Sequence, residues 1–593
     1  MYLRTVRARG AKGQVHEYLR LVEAYWENGR AKQRVVCNLG RKDVLAAHRE
    51  ALVRILGGAK APTRAASEQV RAVQAWDWGP MLAARALWGA LGLDQILDRL
   101  GGRGRTDRAA LSDRALVLVA NRVCAPSSEH GLARWLETDF VCDRQGRRWG
   151  PLWRDDIARR ASRLPRVRVE LRQLKQWYRT LDRLQARQPE IEKAIFLRLR
   201  DLFSLNVDLV FYDLTSTYFE GSGPAALGTH GYSRDGKRRN PQVVVGCVLV
   251  EGWPIAHHIF AGNTRDSTTV PAVLDDLQER FGIRRVVFVG DRGMMTSDNV
   301  SLLRSREQGY ILGRPRRRSE EVYHYVEQAN TTGHWIECSG GITAREKRHP
   351  PKTFVQEIDA DQAGVRIFVV KSDERLDYER QQRLKAMQRV RADLEALEQR
   401  VDKGRLKTPE KIGAAAERIL QRHHGYRYYA WELKDAHFRF FEHPVNLRRE
   451  QAYEGTYVIQ TEEPDLTALD AVRLYKELSE VERAFAHLKD VIELRPIFHQ
   501  TDRRVQAHIF VAALAFLIHR ALEKKLKAAG LDLSATHALE ALRTVRVVDI
   551  DLGDGTTKRS VTRGTSRAAQ VLSALGISDR NPPTPPKEAT RHA

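Results

Sequence analysis

Residues 209–216 read LVFYDLTS and residues 286–294 read VVFVGDRGM, two short apolar runs that each end on an aspartate, Asp213 and Asp291. Short apolar runs bounded by turn-forming residues suit buried strands. An ionised aspartate in an apolar sheet costs several kcal/mol unless it is paired or bound to a cation. One such residue is ordinarily a turn or helix cap; two in one sheet of a basic chain point to chemistry. If the two strands are neighbours, both carboxylates meet at one edge and share a divalent cation. The surrounding segments supply the rest of the sheet. Residues 241–264 read as two strands across Glu251-Gly252, residues 267–282 and 296–309 as helices, and GYILGRP from Gly309 as a further strand. The order β-β-β-α-β-α-β predicts an α/β fold with a mixed sheet.

Outward from that core, 593 residues suggest about three or four domains. Ninety-nine Lys plus Arg against 75 Asp plus Glu give a net charge of +24, which favours a polyanionic partner: nucleic acid first, an anionic membrane second. The 42% apolar share is enough to build cores. The longest apolar run, Ile509 to Ile518, is half the roughly 20 residues of a spanning helix, so no membrane partner is expected. Cys37, Cys124, Cys142, Cys247 and Cys338 are isolated, with no C-x-x-C, which argues against a zinc site or disulfide framework and suits a reducing cytoplasm. Neither G-x-x-x-x-G-K-[ST] nor G-x-G-x-x-G is present, so a phosphate-loop motor and a dinucleotide enzyme lack support.

The chain divides by pattern. Residues 1–70 read as a small basic β-rich unit with a hairpin at Asn28-Gly29, and residues 71–200 as an arginine-dense helical region suited to DNA binding. Residues 201–315 form the first part of the core, and 316–454 a mixed insertion. Within the insertion, Met387, Val390, Leu394, Leu397 and Val401 and a second helix starting at Thr408-Pro409 predict a helical hairpin. Residues 455–545 resume the core, and 546–593 are a C-terminal extension with a disordered tail.

The third acid comes from residues 472–492, VRLYKELSEVERAFAHLKDVI. Leu474, Leu478, Val481, Phe485, Leu488 and Ile492 are spaced 4, 3, 4, 3 and 4 and form one apolar stripe. Tyr475, Glu482 and Lys489 are spaced seven apart on a second line, roughly 60–100° around from it. A carboxylate on that margin is aimed at the sheet edge. YDLTS, GNTRDS from Gly262, VGDRGM, and Y-(2)-L-(3)-E-(6)-K followed by LRPIFH and AHIFVAALA together resemble the DDE transposases of bacterial insertion sequences. They look like the insertion-sequence-four superfamily, whose signature is Y-(2)-R-(3)-E-(6)-K, and NLGRKD in the N-terminal unit fits its long-chain branch.

The resemblance implies a ribonuclease-H-like, retroviral-integrase-like mixed-sheet core with an insertion domain before the last acid. It implies that Asp213, Asp291 and Glu482 are catalytic and hold two Mg²⁺ ions, with Mn²⁺ as a substitute. Such ions activate water or a 3′-hydroxyl and stabilise the leaving oxygen of an in-line displacement. Tyr475 and Lys489 match the flanking signature positions as DNA-binding residues; the family's Arg position holds Leu478, which lies in the apolar stripe. The implied function is a DNA transposase that binds terminal inverted repeats, cleaves there and transfers strands into target DNA, acting as a homodimer on double-stranded DNA. The rivals are a metal-dependent nuclease without strand transfer and a catalytically lapsed DNA-binding regulator.

Lesser residues complete the expected site. Arg234, Lys237, Arg238 and Arg239 in GYSRDGKRRNP, Arg314 in GRPRRRSEE, and Arg292 are expected phosphate contacts. Thr215, Ser216 and Asp266 read as supporting residues. His257 and His258 are adjacent on a strand, point to opposite faces and do not chelate together. Trp335 and Trp431 read as buried before they read as base-stacking.

Overall fold

The computed structural model describes residues 2–9, 15–27, 29–46, 70–101, 110–150, 166–205, 207–316, 319–338, 352–360, 362–435, 437–552 and 556–584. The arginine-dense stretch 151–165 and the last part of the tail, 585–593, lie outside the described residues. The chain divides into two compact units, Met1–Ala75 with Val547–Val561, and Trp76–Arg546 with Thr562–Ala593.

The first unit contains an antiparallel sheet in which Tyr2–Arg9 pairs with Val15–Glu27, and Val15–Glu27 with Arg30–Arg41. Gly29, at φ 71°, supplies the left-handed backbone that the tight turn between the last two strands needs. A separate three-stranded sheet joins Thr557–Val561, Arg546–Asp551 and Arg71–Asp77. This corrects the helical reading at its start, because the segment from residue 71 opens as a strand; the C-terminal extension contributes the other two strands. Partners so distant in sequence leave no local signature, because a short strand's preference is set by what it packs against.

The helical region of the second unit is built around Leu111–Cys124, buried along its whole length. Two arginines of that helix are buried rather than turned to solvent. Arg114 and Arg122 are 8% and 5% exposed, and Arg122 donates to the Glu493 carbonyl at 3.1 Å and to His508 at 3.2 Å. Buried cations survive only with such partners.

The second unit is dominated by a nine-stranded sheet. In chain order its strands are β1 (Leu209–Tyr218), β2 (Gln242–Val250), β3 (Trp253–Ala261), β4 (Val287–Gly290), β5 (Gly309–Gly313), β6 (Ile336–Glu337), β7 (Thr353–Asp359), β8 (Arg366–Ser372) and β9 (Thr456–Thr461). Their spatial order is β6-β7-β8-β9-β5-β4-β1-β2-β3. β4 is parallel to both β1 and β5; the other pairings are antiparallel. Helices α1 (Val270–Glu279) and α2 (Ser297–Ser305) connect β3 to β4 and β4 to β5. Helix α3 (Ala468–Asp490) packs on β1, β4 and β5, and α4 (Asp502–Ala528) on β3. All of β2 is buried, as its uninterrupted apolar run requires.

Two further expectations change. Asp213 does not end its strand: β1 continues through Leu-Thr-Ser-Thr-Tyr to Tyr218, because β2 pairs with it as far as Gln242. The insertion is also smaller than residues 316–454. β7 and β8 extend the main sheet, and the inserted element is the helical pair Asp373–Asp402 and Pro409–Arg422, the hairpin Tyr429–Lys434/His437–Glu442, and the helix Pro444–Tyr453. Interrupted short strands look alike from sequence whether or not they join a larger sheet. The insertion has its own core, in which Met387, Val390, Leu394, Leu397 and Val401 meet Ile412, Leu420, Tyr429 and Phe438.

Among the described residues one helix, α4, is long and apolar enough to cross a membrane by length and composition, and 83% of its most apolar window is buried within the fold. That burial makes it a core helix. Leu394 is 0% exposed, so Leu394→Ala should cost about 2–5 kcal/mol. Hydrogen exchange is expected to accelerate within Asp373–Tyr453 alone; acceleration spreading into β7–β9 would show that the insertion does not hold its own core.

Candidate active site

The parallel pairing of β4 with β1 aligns Val287 with Leu209, Phe288 with Val210 and Val289 with Phe211. Carried two residues on, that register brings Asp291, just past β4, level with Asp213. Alternation along β1 sends Tyr212 to the opposite face, where its hydroxyl donates to Thr269 Oγ1 at 3.0 Å. The Asp213 face is the one covered by α3. There Leu474, Leu478, Val481, Phe485, Leu488 and Ile492 are all buried, 7% exposed or less. Leu478 is therefore core and supplies no phosphate contact. Fixing the stripe also fixes Glu482 on its margin, where it is exposed to solvent.

The Asp213 carboxyl feels the charges of both other acids. Burial first, then the charge of Asp291 and after it Glu482, push the Asp213 carboxyl up to about 7. Asp291 is also raised, by burial first and then by Asp266. Each is steadied by a backbone amide: Leu214 N–H donates to Asp213 at 2.7 Å, and Gly293 N–H to Asp291 at 2.8 Å. Asp266 is nearer than the sequence indicated. A Cβ at Gly293 would lie 3.1 Å from Asp291 Oδ1 and 3.2 Å from Asp266 Oδ2, so the two carboxylates flank one point.

Tyr475 lies against this cluster. Its hydroxyl is raised to about 12, by burial first and then by Asp291. Its ring stacks on Tyr457 at 5.5 Å and its oxygen lies over Gly313, where a Cβ would come within 2.2 Å. Lys489 is 9% exposed and gives its ammonium to Asp235 at 2.9 Å; Arg495 binds the same carboxylate. Burial lowers the Lys489 pKa despite that pairing. Arg234 is likewise engaged, with Asp266 at 2.8 Å, and Arg314 with Glu321 at 2.7 Å. Arg292, Lys237, Arg238 and Arg239 are exposed.

Supporting residues divide similarly. Ser216, fully buried, holds the loop after β1 by hydrogen bonds to Tyr232 and Arg234. His257 faces Glu192 at 2.6 Å and His258 faces Asp276 at 3.4 Å, on separate partners. Trp431 donates to Glu417 at 3.0 Å and stacks on Phe438. Asp235 went unnoticed in sequence because one aspartate among four cations reads as loop charge. A second cluster, Glu129, His499 and His508, brings three ligand atoms within 4.8 Å of one another. Both His508 nitrogens already face partners, Arg122 and the Leu494 carbonyl, and the adjacent guanidinium opposes a cation. It is a buried hydrogen-bond network.

The residues at the main cluster fit a hard divalent cation. Carboxylate oxygens are the donors Mg²⁺ prefers, and like charges held this close need a counter-ion when ionised. A family model described as "Transposase DDE domain" matches residues 208–518, more than half of the chain. Another, "IS1634 family transposase, N-terminal domain", matches residues 3–68. No curated protein matches the chain.

The raised Asp213 pKa has a testable sign. Because the carboxyl holds its proton more tightly folded than at the unfolded value of about 3.9, its stabilising contribution is whole below about pH 4 and is lost as pH rises through about 7. Metal-free protein should melt at a lower temperature near pH 8 than near pH 5.5, by about a few degrees. Added Mg²⁺ should raise Tm more at the higher pH. Asp213→Asn is expected to flatten both responses, and an unchanged metal response in that variant would remove Asp213 from ion binding.

Proposed function

Because the chain belongs to the DDE transposases of insertion sequences, we propose that it binds the terminal inverted repeats of its own element, cleaves the DNA there and joins the 3′ ends to target DNA. The observation that carries this reading is the meeting of Asp213, Asp291 and Glu482, with burial and like charge raising Asp213 to about 7. Strand order β3-β2-β1-β4-β5, with only β4 parallel to both neighbours, supports a ribonuclease-H-like core.

In this reading Asp213, Asp291 and Glu482 are the catalytic carboxylates and hold two Mg²⁺ ions, with Mn²⁺ as a substitute. Bound divalent ions supply nucleophile activation and stabilisation of the leaving oxygen. The chain's own residues do the rest. Asp266 keeps Arg234 beside the acids at 2.8 Å. Tyr475, wedged over Gly313, holds its hydroxyl near Asp291 and Glu482. The exposed Arg292, Lys237, Arg238 and Arg239 bind phosphates and position the duplex. Lys489 acts through Asp235 as the anchor of the loop that carries Lys237, Arg238 and Arg239, and Arg314 is held by Glu321. Synapsis of two ends requires two copies, so a homodimer is the working assembly.

The test incubates the full-length protein with duplex DNA spanning the ends of the element that carries its gene, with Mg²⁺ or EDTA. Metal-dependent breaks at paired repeats and joined 3′ ends are expected. Asp213→Asn, Asp291→Asn and Glu482→Gln should each lower cleavage by at least about 10³-fold while changing end affinity by less than about 5-fold. Breaks without joining would favour a nuclease; binding without breaks, a lapsed regulator. Affinity should also fall steeply with salt, as counterions are released when phosphates are neutralised.

A further inference from the structure

The segment between β1 and β2 is long and polar, yet it is held firmly beside the acids. Ser216 Oγ donates to the Tyr232 carbonyl at 3.0 Å and accepts from the Arg234 amide at 3.0 Å. The Asp235 side chain, 6% exposed, is clamped by Lys489 at 2.9 Å and by Arg495. Arg234 reaches Asp266 at 2.8 Å, and its charge is felt at both Asp213 and Asp291. Ties at Tyr232, Arg234 and Asp235 leave this backbone little freedom.

Tyr232 is the residue those ties turn outward. It is 77% exposed, although its own backbone carbonyl is bonded to a fully buried serine. Among the described residues its ring meets the Arg234 guanidinium, 5.9 Å from the centroid. The hydrophobic effect favours covering a tyrosine, and a mobile loop would let this ring fold down; a clamped loop holds it in water. Beyond it come the exposed Lys237, Arg238 and Arg239, with no acid after Asp235. An immobile aromatic ring backed by a guanidinium, followed by cations and set next to a carboxylate cluster, matches the parts of a single-strand stacking platform.

We propose that Tyr232 stacks on an unpaired nucleobase of the DNA strand at or beside the scissile phosphate, and so sets which phosphodiester reaches Asp213, Asp291 and Glu482. The inference rests on the transposase reading given above. Stacking needs an open base face, which a paired duplex does not offer, so the contact forms at a frayed or extruded nucleotide. The ring is indifferent to base identity, because every base has a π-face. Its contribution is register along the strand, and Lys489 and Asp235 serve it as positioning residues.

The experiment uses full-length protein and end duplexes carrying single 5-iodouracil substitutions at thymines flanking the mapped break. Long-wavelength irradiation of the complex should cross-link a base to the peptide containing Tyr232. Tyr232→Ala should slow cleavage by about 5- to 100-fold and spread the cut over neighbouring phosphates, while Tyr232→Phe and Tyr232→Trp stay within about 3-fold. Tyr378→Ala, which removes an exposed tyrosine of the insertion, should match the unsubstituted protein. Tyr232→Ala cutting at the normal rate and position, or cross-links mapping only elsewhere, would overturn the stacking role and leave the transposase reading standing. Failure of that reading would show separately, as no metal-dependent break by the unsubstituted protein.

Discussion

Two parallel strands place two carboxylates side by side, and much of this molecule serves to tolerate that juxtaposition. The β1–β4 register sets Asp213 level with Asp291, and burial with like charge raises both pKa values. A fold accepts such a cost where the surrounding structure over-determines the geometry. Here β1 is paired on both sides, β2 is buried throughout, and α3 is locked onto the sheet by a stripe that includes two residues with no exposed surface, Val481 and Ile492. The same packing fixes Glu482, which would otherwise be one acid on a solvated helix flank.

Charge in the site is arranged in two shells. Arg234 and Lys489 do not present free cations to solvent; each is engaged with an aspartate, Asp266 or Asp235. Their work is structural, holding the loop after β1 above the carboxylates. Arg292, Lys237, Arg238 and Arg239 are exposed.

The stripe and the second line of Tyr475, Glu482 and Lys489 were legible in the sequence because helical period translates spacing directly into direction. The strands before Asp213 and Asp291 were legible as apolar runs. The end of β1 was not: DLTSTY carries polar residues, and only the partner strand reveals that it continues. The insertion's limits and the pairing of Arg71–Asp77 with Arg546–Asp551 were hidden for the same reason, since strand pairing joins residues with no local relation.

The sequence by itself determined the α/β core and the family, and it singled out the three acids as candidates, because each rests on short-range pattern or on residue identity. The tertiary structure decided which cations are spent on internal ion pairs, that Asp266 flanks Asp291, and that Asp235 anchors Lys489. Those are properties of distance between segments far apart in the chain, where a Coulomb energy or a hydrogen bond depends on ångströms that no spacing rule encodes. Tyr232 belongs to the same class. Its exposure has meaning only beside the three bonds that hold its loop.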